Sequence, residues 1–70
     1  VATVEIITTA QRDLVGVTID GRHYPSATMK SMPLVDNAEA CRRGSGRFRF
    51  TTDGGETIDV EVTKCIKTRV

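Results

Sequence analysis

Residues 47–62 read RFRFTTDGGETIDVEV. Two alternating runs flank a Gly-rich turn, so this is a β-hairpin, and its register can be worked out by hand. A two-residue turn at Asp53-Gly54 places Phe50 opposite Thr57 and Arg49 opposite Ile58, which mixes apolar and charged faces. A three-residue loop, Asp53-Gly54-Gly55, with a glycine in the left-handed bulge position, does better. Phe50 then meets Ile58 and Phe48 meets Val60 on one face, while Arg49 meets Asp59 and Arg47 meets Glu61 on the other. Apolar opposes apolar and cation opposes carboxylate at every step, which selects this register. The phenylalanines therefore feed a core, and the two arginines already have carboxylate neighbours.

Upstream the same alternation recurs. Ala2, Val4 and Ile6 mark a first strand, and Val15, Val17 and Ile19 mark a second. Pairing them antiparallel with Ile6 opposite Val15 puts every inward residue on one face. Ile7 and Leu14 then oppose each other on the outer face, as an apolar pair available for a subunit contact. Asp20-Gly21 signals a tight hairpin. It sets Tyr24 opposite Val17 and Arg22 opposite Ile19, and Pro25 ends the short third strand. Residues 26–33 read as a connection, with Met29 and Met32 covering the core.

After Pro33, the segment LVDNAEACRRG places Leu34, Ala38 and Cys41 on one helical face. Asp36 or Asn37 is positioned to cap the start, Arg42 and Arg43 fall in the last turn, and Gly44 supplies a left-handed stop. A short helix of about 7–9 residues is expected, held by tertiary packing. The fold expected is thus β-rich α+β in one domain spanning 1–70. It is a five-stranded small barrel or OB-like sheet with one short helix, in the order β-β-β-α-β-β.

Composition bounds the rest. Ten basic and nine acidic residues give a net charge of +1, so any electrostatic function rests on a local patch. Apolar runs fall well short of the roughly 20 residues needed to span a bilayer, so no membrane insertion is expected. Cys41 and Cys65 are read either as one disulfide, implying a secreted protein, or as two buried thiols of a cytoplasmic one. Two cysteines 24 apart and a single histidine are too few for zinc, and no cofactor is implied. His23 beside the turn reads as a solvated strand residue. With Asp59 and Glu61 facing arginines, the chain lacks an assembled acid, base or nucleophile and is read as non-enzymatic.

Residues 43–50, RGSGRFRF, resemble the RNA-recognition signature K/R-G-F/Y-G/A-F-V-x-F/Y at Arg43, Gly44, Gly46 and Phe50. Ser45 and Arg47 stand where that family carries stacking aromatics, so the base platform is lost. A phosphate-binding patch of Arg42, Arg43, Lys64, Lys67 and Arg69 remains as a nucleic-acid reading. Over the whole chain, size, element order and the cysteine pair resemble the OB-type B subunits of Shiga-like toxins. That resemblance implies a secreted, oligomeric, sugar-binding subunit. The cysteines differ, since that family ties its first strand near its last hairpin, and no binding residue is carried over. The leading expectation is a binding or assembly module that contacts a protein partner or itself.

Overall fold

The computed structural model describes residues 2–70, without the side chain of Leu34. Six strands, β1 (Ala2–Thr8), β2 (Leu14–Ile19), β3 (Arg22–Pro25), β4 (Met29–Ser31), β5 (Gly46–Thr52) and β6 (Thr57–Arg69), form one sheet in the order β3-β2-β1-β6-β5-β4. Among the described residues there is one α-helix, α1 (Leu34–Arg43), between β4 and β5 in the chain, and a single 3-10 turn at Ser26–Thr28 joins β3 to β4. The sheet curls into a half-barrel, and the fold is the β-rich α+β class expected, with one short strand more. That strand, β4, is three residues long and sits in a segment without alternation, so it left no periodic mark.

The β5–β6 hairpin has the register derived above: Phe50 opposite Ile58, Arg49 opposite Asp59, Phe48 opposite Val60, and Arg47 opposite Glu61. Thr52 N–H donates to Glu56 O at 2.8 Å across the three-residue loop, and Gly55 adopts φ 84°. At the β2–β3 turn, Asp20 and Gly21 both have positive φ, and Val17 faces Tyr24 while Ile19 faces Arg22.

The first hairpin departs from expectation by two residues. Val4 pairs with Ile19 and Ile6 with Val17. The cause is local. Residues 9–13 close on themselves through Thr9 N–H to Asp13 O (2.8 Å) and Arg12 N–H to Thr9 O (2.9 Å), with Arg12 left-handed at φ 69°. Pairing therefore starts at Thr8–Leu14, and a bulge then absorbs Val15 before Ile7 meets Gly16. The extra residue reverses the side-chain alternation at the strand's start. Leu14 packs against the core, and Val15, expected inside, is 36% exposed.

A second irregularity shapes β6. Its first half pairs with β5, and its second half runs parallel to β1. Ala2 faces Val62 but Thr3 faces Lys64, so Thr63 is the added residue, and its hydroxyl donates to Ala2 O at 3.2 Å. The inward set changes there from Ile58, Val60 and Val62 to Cys65, Lys67 and Arg69. Lys64, Ile66 and Thr68 turn to the outer face.

The core is Ala2, Val4, Val17, Ile19, Phe48, Phe50 and Val62, closed by Ala40 and Cys41 of α1. Phe50 takes Tyr24 and Phe48 edge-on, at centroid distances of 5.2 and 6.1 Å. Met29 and Met32 pack against this cluster, as expected of them.

Helix α1 ends as expected, with Gly44 at φ 72° and its N–H on Ala40 O. Its start and its buried face do not follow expectation. Pro33 is the N-cap, and no side chain caps the first turn. The buried residues are Asn37, Ala40 and Cys41, while Ala38 is exposed; Leu34, placed on the expected face, has its side chain outside the described residues. Asn37 sets this rotation. Its Nδ2 donates to Arg49 O at 2.7 Å, and its Oδ1 accepts from Arg49 N–H at 3.0 Å. Strand β4 pairs only with Thr51 and Thr52, so the edge of β5 at Arg49 is unserved by backbone, and the amide takes its place.

Candidate functional site

The two cysteines form a disulfide between the last turn of α1 and β6, with Cα atoms 5.1 Å apart. The bulge at Thr63 makes this possible, because it points Cys65 inward. Both sulfurs are thereby removed from nucleophilic chemistry.

The five basic candidates do not converge. Arg42 and Arg43 both bind Glu39 Oε1, at 3.2 and 2.9 Å. Lys64 stands on the outer sheet face opposite Thr3. Lys67 and Arg69 face inward at the far end of β6. Lys64 and Lys67 are three residues apart and so lie on opposite faces of the strand, and the bulge at Thr63 decides which, turning Lys67 and Arg69 inward.

Arg47 and Asp59 are bonded Nε to Oδ1 at 2.9 Å, one step diagonal to the facing pairs. That hydrogen bond, reinforced by the charge on Arg47, holds the Asp59 carboxyl below its ordinary range, and the same bond raises the Arg47 guanidinium. His23 is engaged as well. Its Nδ1 lies 3.2 Å from Thr18 Oγ1, and its ring overlies Gly16, where a Cβ would stand 2.7 Å from Cε1.

Two surfaces remain. The first is the outer face of the central strands. Ile7, half-buried, lies between Gly16 of β2 and Thr68 of β6. Ile66 is 40% exposed and faces Glu5, one step along the same face. Val15 is exposed beside Gly16. The expected partner of Ile7, Leu14, is absent from this face because the β2 bulge turned it inward; Ile66 stands there instead. Thr68 Oγ1 donates to Glu5 Oε2 at 2.6 Å, and Lys64 lies on the same face.

The second is a cleft of about 860 Å³ at the open end of the half-barrel. Ile6, Leu14 and Met32 give it an apolar floor, and Asn37 and Ala38 form the helix wall. Arg12, Lys67 and Arg69 line it with no carboxylate among its walls, and none of the three is ion-paired among the described residues. Arg12 carried no signal in the sequence: it lies in a polar turn, and only the curl of the sheet brings it beside β6.

Among the described residues, no helix is long and apolar enough to cross a membrane. Compared with protein families, curated proteins and solved structures, the chain matches none.

Proposed function

We propose that this chain is a non-enzymatic binding and assembly module that acts through protein contacts and self-associates. The observation that carries the reading is the apolar outer face, where Ile66 at 40% exposure and Ile7 lie on adjacent strands with Val15 beside them. Exposed branched residues on a rigid sheet centre lose little conformational freedom on docking, and burying them is favourable by about 25 cal/mol per Å². Glu5 and Lys64 flank the patch with opposite charges. A two-fold arrangement lets the carboxylate of one copy meet the cation of the other, which makes a second copy the fitting occupant.

The remaining chemistry is consistent with a binding role. Both cysteines are consumed in the disulfide, Asp59 is held ionised by Arg47, and His23 is occupied by Thr18. The disulfide supports an oxidising compartment, and we take the protein to be secreted.

Sedimentation equilibrium across micromolar concentrations tests the assembly. The wild type is expected to exceed the monomer mass. Ile66→Glu, which also sets a like charge opposite Glu5 of the same chain, is expected to be monomeric, with a modestly lowered melting temperature in dilute solution. A wild-type mass equal to one chain throughout that range would remove the reading.

A further inference from the structure

Strand β6 has a free edge. Beyond Cys65, where the disulfide holds α1 against the strand, residues Ile66 to Arg69 pair with β1 alone, because β5 reaches only to the Gly46–Val62 pair. Alternate backbone N–H and C=O groups along these residues point away from β1 and meet no strand. Lys67, Thr68 and Arg69 also line the cleft, so this edge borders it, with Asn37 and Ala38 of α1 in the same lining.

Such an edge is a template for another strand. The charges decide which. Lys67 and Arg69 lie on this stretch, and antiparallel pairing with a second copy centred on Lys67 or Thr68 would set cation against cation. An acidic strand meets no such penalty. Lys67 and Arg69 are two residues apart and share the inner face, roughly 6.6 Å along the strand at the usual rise. Carboxylates at alternate positions of an added strand have that same spacing. Arg12 lies across the cleft within the same lining, and Ile6, Leu14 and Met32 offer an apolar floor.

We propose that the cleft binds an extended acidic segment of a partner protein, added as a strand along residues 66–69 of β6, with carboxylates at alternate positions facing Lys67 and Arg69. The site uses the edge and inner face of the strand whose outer face carries Ile66, and it does not depend on self-association. A peptide fits better than a nucleic acid for two reasons. The free edge offers unpaired backbone donors and acceptors, which a peptide backbone satisfies in register. The three aromatic rings are already engaged: Phe48 and Phe50 are buried against each other, and half-buried Tyr24 packs on Phe50 beneath Arg22, so no stacking platform for bases is presented.

The probe is a short fluorescein-labelled peptide of alternating Glu and Thr, followed by anisotropy at low salt. Binding is expected, weakening as salt rises, and falling by roughly tenfold or more in Lys67→Glu and in Arg69→Glu. The same peptide N-methylated at alternate amides is expected to lose binding in at least one of the two possible phases, because strand addition needs its N–H groups. Amide exchange should slow at alternate residues of 66–69 when the unmodified peptide is present. No binding at low salt overturns the proposal, as does equal binding of the Gln-for-Glu peptide or of both N-methylated forms. Tighter binding of oligothymidylate than of the peptide overturns it in favour of a nucleic acid. Sedimentation of the two charge-reversal variants should give the wild-type mass, so failure here is distinguishable from failure of self-association.

Discussion

Asn37 is the residue on which the junction of helix and sheet depends. It is 1% exposed and makes paired hydrogen bonds to the backbone of Arg49. Asn37→Ala strands a donor and an acceptor at a partly buried strand edge. A loss of about 1–3 kcal/mol is expected in urea unfolding. Asn37→Asp keeps the acceptor but loses the donor and buries a charge at neutral pH. As pH falls its buried carboxyl, its pKa raised by desolvation, protonates and can donate again, so part of the loss relative to wild type should be recovered in acid. A second prediction concerns Asp59. Its folded-state pKa lies below the unfolded value, so its stabilisation is present above the ordinary carboxylate range and is lost as pH falls through the lowered value. The difference in melting temperature between wild type and Asp59→Asn should therefore be present at neutral pH and vanish in strong acid. Arg47, whose guanidinium the bond to Asp59 raises further, stays charged throughout and adds no slope of its own in that range.

At the scale of elements, the disulfide joins α1 to a strand that backbone pairing alone leaves open on one side. It closes a loop with a sequence separation of 24. Chain entropy puts the stabilisation from such a loop at about 3–3.5 kcal/mol. A chain of this length has a total stability of only about 3.5–10 kcal/mol. The double variant Cys41→Ala/Cys65→Ala should thus lose a third or more of its stability. Its melting temperature, compared with that of reduced wild type, checks this: the two should fall together. The bulges act at this scale too. The one in β2 sends Leu14 to the core and leaves Val15 outside, and the one in β6 gives one strand two neighbours of opposite direction. A one-residue slip reverses every side chain beyond it, which is why both candidate surfaces lie where alternation breaks.

For the whole molecule, a small core makes association a natural source of added stability. If the outer face is covered by a second copy, thermal stability should rise with protein concentration in wild type and stay flat in Ile66→Glu. Scanning both proteins over a hundredfold range of concentration checks this.

The β5–β6 and β2–β3 registers, the Gly44 stop and the inward phenylalanines were legible in the sequence because each depends on short-range rules: alternation, turn residues and cross-strand charge. The first-hairpin register, the rotation of α1 and the inward turn of Lys67 and Arg69 were not. A bulge depends on how a loop closes and what the strand must pair with on its other side, and Asn37 was needed at a gap that exists only once β4 stops short. The sequence by itself determined the fold class and the way RFRF is divided between core and surface. The tertiary structure alone decided that Cys41 meets Cys65, that Ile66 rather than Leu14 joins Ile7, and that Arg12 joins Lys67 and Arg69. Those three outcomes depend on the curl of the sheet and the parity change at Thr63, which bring together residues that no local spacing relates.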